Sequence, residues 1–255
     1  MANTLKIIAI IQARMSSKRL PNKVLLPLSG SPVIEHIVQR LSTSEGLDEI
    51  IIATSTDKTD DVLANWCFEK KIKCFRGSLF DVLDRYYQAA LKFKADAVLR
   101  ITGDCPLIDP EIVSDLVRNF RSGNYDAYSL SGEFPDGLDC QIFSFKALKK
   151  SWENASLPSE REHIGTYIEV NNPELFRIGK MIKFHNHAHH RWTLDEKEDY
   201  LFLKKVFLAL YNKNKIFTTK DVLKLLNKES ALMNINKNII RNEGYLKSIQ
   251  KEKDL

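Results

Sequence analysis

The sequence predicts an α/β protein built on an open, mostly parallel sheet with flanking helices, and three observations carry that expectation. The run Leu5-Lys6-Ile7-Ile8-Ala9-Ile10-Ile11 is nearly continuous and rich in β-branched residues, as a strand buried on both faces requires. Short apolar runs then alternate with segments of helical spacing, the pattern of successive βαβ units. At 255 residues and 44% hydrophobic content, the chain is long enough to bury one substantial core.

Taken in order, the first strand runs into a basic loop, Gln12-Ala13-Arg14-Met15-Ser16-Ser17-Lys18-Arg19-Leu20-Pro21-Asn22-Lys23. Pro32 then marks a helix start, and Val33, Ile34, Ile37, Val38 and Leu41 recur at helical spacing as a core-facing stripe. Glu49-Ile50-Ile51-Ile52-Ala53 reads as a strand, and residues 60–70 as a helix with Val62, Leu63 and Trp66 on its inner side. Val82, Leu83, Tyr86, Tyr87, Ala90 and Leu91 mark another helix, followed by the strand Ala97-Val98-Leu99-Arg100-Ile101. Past Tyr125 the pattern is mixed: a Gly- and Asp-rich loop over 131–139, a strand over 140–143, a helix over 145–152 and a strand over 176–184. From Asp195 onward the reading is helical. Residues 1–217 are assigned to the main domain and 218–255 to a C-terminal helical appendage packed on it.

A net charge of +5 suits a polyanionic partner, whether a nucleic acid or a nucleoside triphosphate, and does not separate the two. Cys67, Cys74, Cys105 and Cys140 form no CxxC pair and no zinc spacing, so they read as reduced thiols of the cytosol. The first apolar run is too short for a membrane span and lacks the flanks of a signal peptide, which leads to a cytoplasmic expectation with no membrane span.

In an open parallel sheet, ligands gather at the carboxyl ends of the strands. The basic loop, Thr54-Ser55-Thr56-Asp57 and Thr102-Gly103-Asp104 all fall there. A triphosphate needs convergent cations, and the loop offers Arg14, Lys18, Arg19 and Lys23; arginine grips phosphate oxygens bidentately where lysine acts as a point charge. The competing reading is a basic surface loop, which its place directly after a buried strand disfavours. No glycine-rich run ending in Gly-Lys-Ser/Thr is present, so an ATPase of the Walker type loses its main support. Asp104, beside a glycine that permits close ligand approach, is a candidate Mg²⁺ ligand, since that ion takes one or two carboxylates plus substrate phosphates. Asp195 reads equally as a metal ligand or as an acid in the first turn of a helix, and Glu196, Glu198 and Asp199 read as first-turn acids. His185, His187, His189 and His190 cluster without a cysteine or carboxylate at a zinc spacing. His163 stands alone.

With these residues in hand, the sequence resembles the cytidylyltransferases that make CMP-activated sugars, and within them the branch named for spore coat polysaccharide biosynthesis protein F. The likeness runs through the basic loop, Phe75-Arg76-Gly77-Ser78, Asp81-Val82-Leu83-Asp84-Arg85-Tyr86 and the stretch from Thr102 to Ile108. It continues in Pro135-Asp136-Gly137-Leu138-Asp139, Glu162-His163 and Ile239-Ile240-Arg241-Asn242-Glu243-Gly244-Tyr245. The resemblance implies a Rossmann-like nucleotidyltransferase fold that joins CTP to a sugar or sugar acid, releasing pyrophosphate, with Mg²⁺ as cofactor and a homodimer as the common assembly. Carried over by motif, Arg14, Lys23 and Asp104 are the catalytic set. Gln12, Ala13, Lys18 and Thr102 join Arg14 and Lys23 around the nucleotide, with Arg76 and Ser78 near the cytosine. Asp104 and Asp195 hold the metal, and Asp136, Asp139 and His163 line the acceptor pocket. Apart from the motifs, a sugar-acid acceptor would need a cation for its carboxylate, for which Arg161 and Arg191 are candidates against the reading of each as a surface residue. The chain departs from the sialate and deoxyoctulosonate enzymes where Ser16-Ser17 replaces Gly-Ser and where Val24 replaces an asparagine after the lysine.

The expected reaction is an in-line attack by an acceptor oxygen on the α-phosphorus of the nucleotide. Two alternatives compete. A glycosyltransferase on a similar sheet usually carries Asp-x-Asp at its metal site, whereas Asp104 is followed by Cys105 and Pro106. An RNA-binding module needs an aromatic platform that Phe143, Phe145 and Phe176 do not form by their spacing, so no nucleic acid partner is expected.

Overall fold

The computed structural model describes residues 5–212, 214–241 and 243–253. Asn242 of the last motif lies outside the described residues, as do residues 1–4 and 254–255 of the two assigned segments.

The strands are β1 Ile7–Gln12, β2 Pro27–Leu28, β3 Ser31–Pro32, β4 Glu49–Ser55, β5 Lys73–Gly77, β6 Ala97–Thr102, β7 Ala127–Gly132, β8 Gln141–Ser144 and β9 Ile178–Phe184. The helices are α1 Val33–Leu41, α2 Asp61–Glu69, α3 Val82–Lys92, α4 Pro110–Ser122, α5 Phe145–Asn154, α6 Pro158–Glu162, α7 Lys197–Leu210, α8 Thr219–Lys228 and α9 Glu243–Lys253. Seven strands form one sheet in the order β5-β4-β1-β6-β8-β7-β9, while β2 and β3 make a small hairpin. Every neighbouring pair in the main sheet is parallel except those of β8, which runs antiparallel to β6 and β7.

The continuous apolar run of β1 has a direct cause. Ile7, Ala9 and Ile11 belong to a core packed under α1, α2, α4, α7 and α8, and Ile8 and Ile10 to a second core under α3 and α5 on the opposite face. All five residues are fully buried, so neither face leaves room for a polar side chain. Val33, Ile34, Ile37 and Leu41 are the buried face of α1, as their spacing predicts. On α2 Leu63 and Cys67 are buried and Trp66 packs partly buried against the same core, as expected of Leu63 and Trp66, while Val62 is exposed and Cys67 completes the stripe in its place. Val222, Leu225 and Leu226 of α8 pack into the first core with Phe202, Val206 and Phe217. Helix α9 contacts α6.

The β2–β3 hairpin, α6 and three larger elements escape the sequence reading. Strand β5 is a short edge strand whose side chains are none of them fully buried, so it shows little apolar alternation. Strand β7 ends inside the segment read as loop, and α4 carries clear end signals in the Asp109 cap and Pro110 that the alternation argument passes over. The four cysteines are free. Among the described residues no helix is long and apolar enough to cross a membrane.

Candidate active site

From β1 the chain moves outward to β4 and β5 on one side, and then returns to lay β6 on the other side of β1. The loops after β1 and β6, which lead to α1 and α4 on the same face, therefore lie side by side at the carboxyl edge of the sheet, at the crevice where such folds bind ligands. Gly103 lets the two loops close on each other. Its N–H donates to the Gln12 carbonyl at 2.8 Å, and a Cβ there would stand 2.8 Å from the Ala13 Cβ and 2.9 Å from the Gln12 oxygen. The basic loop is nailed down by the fully buried Asp60, whose carboxylate accepts the Met15 N–H at 2.7 Å and the Ser55 N–H at 3.1 Å. Both the Ser17 and the Asn22 N–H donate to the Met15 carbonyl, and Asn22 adopts the left-handed region at φ 59° before a one-turn helix turns Lys23 back toward the crevice.

There the Lys23 ammonium bridges two carboxylates, donating to Asp104 Oδ2 at 2.6 Å and to Asp195 Oδ1 at 2.8 Å. Burial on its own would lower the Lys23 pKa, but the two carboxylates outweigh it and raise the ammonium above its ordinary value. Burial likewise favours protonation of Asp104, and the charge and hydrogen bond of Lys23 overcome it to hold that carboxyl at about 2. Asp195 reaches the site because the Leu194 N–H donates to the Asp104 carbonyl at 2.8 Å, stitching the segment before α7 onto the end of β6. Arg19 approaches from the other side, 3.1 Å from Asp195 and 3.3 Å from Glu196, and also pairs with Glu243 at the start of α9.

Behind the carboxylates lies a buried support. Arg191 spans Asp136 at 3.0 Å, Asp195 at 3.3 Å and Asp199 at 2.9 Å. Asp199 is fully buried and also accepts the Asp195 and Glu196 N–H groups, each at 3.0 Å, and Asn236 at 2.9 Å. It closes a capping box with Glu196 at the N-terminus of α7. Asp136 and Arg191 form an isolated parallel bridge, and the chain can pass only because Gly137 sits at φ +102° with Thr193 N and Trp192 C each 2.7 Å from where a Cβ would be. Burial, reinforced by Asp139 and opposed by Arg191, pushes Asp136 up to about 7.

The structure thus links Lys23, Asp104, Asp195, Arg191 and Asp136 into one connected network, with Gln12, Ala13 and Thr102 on the adjoining strand ends. Asp139 joins it through the Gly137 N–H at 3.1 Å. Arg14 and Lys18 are exposed on the loop and make no ion pair among the described residues. Arg76 and Ser78 lie apart, at the end of β5. The Arg76 guanidinium donates to the carbonyls of Ser55 at 2.8 Å and Asp57 at 3.0 Å, and pairs with Asp61 at 2.7 Å. Ser78 Oγ accepts the Asp81 N–H at 3.0 Å. His163, at the end of α6, lies 3.3 Å from the Ser248 hydroxyl and edge-on to Tyr245, both on α9. Sequence reasoning missed Asp60 as the loop's anchor, and read Asp199 as a first-turn acid, which it is, without its buried place at the centre of the support. Only the spacing of Glu196 and Asp199 as a capping box hinted at the latter.

Among the described residues no group of three or more His, Cys, Asp or Glu is arranged to hold a metal ion, the histidines of 185–190 included. The pair Asp104 and Asp195 does fit a hard divalent cation that takes its remaining oxygens from a substrate. One oxygen of each already converges on a single cation, the Lys23 ammonium, and both are carboxylate donors.

Comparisons with known proteins point to one family. The family model described as cytidylyltransferase matches residues 8–243. The chain is 36% identical over 245 residues to the uncharacterized protein MJ1063 of Methanocaldococcus jannaschii, covering 94% of this chain and 98% of that one. It is 34% identical over 215 residues to the spore coat polysaccharide biosynthesis protein SpsF of Bacillus subtilis, covering 81% of this chain and 87% of the other. Among solved structures, a cytidylyltransferase from Leptospira borgpetersenii superposes with a TM-score of 0.85 at 30% identity, covering 92% of this chain and 98% of that one.

Proposed function

This chain belongs to the cytidylyltransferase family, and from that premise we propose that it joins CTP to a sugar or sugar-acid acceptor with release of pyrophosphate. The observation that carries the reading is the Lys23 ammonium held jointly by Asp104 and Asp195 beneath a loop of arginines and lysines, at the crevice between β1 and β6. Unpaired cations above and paired acids below suit a triphosphate whose α-phosphorus lies at their boundary.

In the proposed reaction an acceptor hydroxyl oxygen bonds to the α-phosphorus, and the bond from that phosphorus to the bridging oxygen breaks. Pyrophosphate leaves with the electron pair, and the hydroxyl proton passes to solvent. Arg14 and Lys18, exposed on the loop and without ion pairs among the described residues, would grip the departing phosphates. Lys23, released from its carboxylates, neutralises charge on the same oxygens. Asp104 and Asp195 would hold Mg²⁺, which when bound supplies charge neutralisation at the phosphate oxygens. Gln12, Ala13 and Thr102 form the floor under the nucleotide, Arg76 and Ser78 the rim nearest the base, and Asp139 and His163 the acceptor side. Arg191 and Asp136, committed to their ion pairs, serve this reading by fixing Asp195. A cytoplasmic setting, a homodimer and a closing layer formed by residues 218–255 belong to the same proposal and rest on the family likeness and on the packing of α8.

The test is pyrophosphate release from CTP, UTP, ATP and GTP in the presence of a pool of sugars, sugar acids and sugar phosphates. Acceptor-dependent release from CTP above the other three supports the reading. Formation of a nucleoside diphosphate from a nucleotide-sugar donor instead would assign the site to glycosyl transfer.

A further inference from the structure

On the face of the sheet covered by α3, α5 and α6, β1 presents Ile8, Ile10 and Gln12, while β6 presents Val98, Arg100 and Thr102. Arg100 pairs in register with Ile10 on one side and with Gln141 on the other, and Gln141 pairs with Ser129 of β7. A charged residue thus stands one side-chain step behind Thr102 in a strand that is otherwise apolar.

Its surroundings are unusual. The Arg100 guanidinium donates through Nη1 to Gln141 Oε1 at 2.9 Å. The Gln141 amide and the Ser129 hydroxyl both donate to Glu169, on the helical turn Thr166–Asn171, so a chain of hydrogen bonds fixes the guanidinium's direction. Arg100 makes no ion pair among the described residues, and its Nε is buried without a hydrogen-bond partner. Gln12 Oε1, on the neighbouring strand and the same face, is also buried without one. An orphaned donor and an orphaned acceptor at the carboxyl edge of one sheet face are costly unless a ligand satisfies them.

Two other arginines near the acceptor side are committed to ion pairs. Arg191 spans three carboxylates, and Arg161 donates to the carbonyls of Ala155 and Trp152 and pairs with Asp81. Arg85, on α3, donates to the Ser78 carbonyl and also has an Nε without a hydrogen-bond partner, and Arg241 donates to the Phe134 carbonyl, but neither stands on a strand beside Gln12 or Gln141. His163 is held below its ordinary value first by burial and then, against the pull of Glu162, by the charge of Arg100.

We propose that Arg100, aimed by Gln141 and Glu169, receives an oxyanion of the acceptor, so that this chain selects a sugar bearing a carboxylate, with Gln12 Oε1 accepting from a hydroxyl of the same molecule. The assignment rests on the cytidylyltransferase reading above. Arg100 is the specificity residue of that site, and Gln141 and Glu169 are its positioning residues.

The experiment measures CTP-dependent pyrophosphate release with a panel of sugar acids, their neutral methyl esters and sugar 1-phosphates, for the wild type, Arg100→Met and Arg100→Lys. A charge-assisted bidentate contact predicts a KM for the acid at least about tenfold, and up to about a hundredfold, below that for its ester. Arg100→Met loses that preference with the KM for CTP unchanged, and Arg100→Lys keeps part of it. The acid and ester comparison needs no variant, so it stands even if Arg100→Met fails to fold. The same preference and the same loss for a sugar 1-phosphate would retain Arg100 as the oxyanion site and identify the oxyanion as phosphate. Equal turnover of acid and ester, or an unchanged acid KM in Arg100→Met, overturns the role of Arg100 while leaving the cytidylyltransferase reading in place. Absence of CTP-dependent pyrophosphate release with every acceptor overturns both.

Discussion

Replacing Lys23 by Met removes the one cation that Asp104 and Asp195 share, and the structure fixes how much that should cost. Both contacts are short, at 2.6 and 2.8 Å, and the side chains are mostly shielded, with 13% exposure at Lys23 and 22% and 23% at the two acids. Breaking a fully buried ion pair costs about 3–5 kcal/mol because a charge is left uncompensated, and partial access of water reduces that figure. Asp104 gives an independent measure. A carboxyl held at about 2 against its ordinary 3.8 corresponds to roughly 2 kcal/mol of differential interaction. We therefore expect Lys23→Met to lose about 2 kcal/mol at pH 7 without divalent cations, which for a chain of this length lowers Tm by roughly 4–8 °C.

The sign of the pH dependence follows from the direction of the shift. Since Asp104 titrates lower in the fold than in the unfolded chain, its contribution is complete above 3.8 and fades as pH falls through about 2. Lys23→Met should abolish that part of the acid dependence. The double variant Lys23→Met with Asp104→Asn should be less destabilised than the sum of the singles, by on the order of 1–2 kcal/mol of coupling. Thermal and urea unfolding of the four proteins of this cycle measure it. A Lys23→Met variant that melts within about 1 °C of the wild type, or additive singles, would refute the shared-cation arrangement.

Three further outcomes follow from the support and its surroundings. Asp199→Ala should cost about 3 kcal/mol in urea unfolding, since it leaves two N–H groups at the start of α7 without their acceptor and takes one of three carboxylates from the buried Arg191, and Asp199→Asn should cost less by keeping the backbone bonds. Gly137→Ala places a Cβ 2.7 Å from backbone atoms at φ +102°, so a loss of about 3 kcal/mol or more is expected in Tm and urea midpoint, with no change if the Asp136 to Arg191 bridge is absent. His190 is lowered from 6.5 to about 4 by burial and by His189 and His187, so it stays neutral in the fold; stability is complete above 6.5 and lost as pH falls toward 4, and His190→Gln should flatten that slope by up to about 3 kcal/mol.

The legible parts of the sequence are those where one local signal suffices. Strand β1 announces itself because both faces are buried, and α1 because its stripe meets a single core. Lys23, Asp104 and Asp195 were legible as chemistry because each follows a strand end or precedes a helix, where charge has a reason to be. Their contact was not, since it depends on the Leu194 N–H reaching the Asp104 carbonyl across a long sequence separation. The role of Asp199 was illegible for the same reason: an acid in a first turn is ordinarily solvated, and only Arg191 and Asn236 folding over it make it buried. Arg100 lay hidden in an apolar strand, where its unpaired state is visible only once Gln141 and Glu169 are in place. Edge strand β5 lacked the burial that produces a pattern at all.

Transfer of label from CTP carrying ³²P at the α-phosphate to a sugar-acid acceptor, compared between the wild type and Asp104→Asn, tests the central claim most directly. Acceptor-dependent label transfer with stoichiometric pyrophosphate is expected in the wild type, and a loss of at least about a hundredfold in Asp104→Asn with the fold intact by circular dichroism. Near-normal transfer by Asp104→Asn would contradict it.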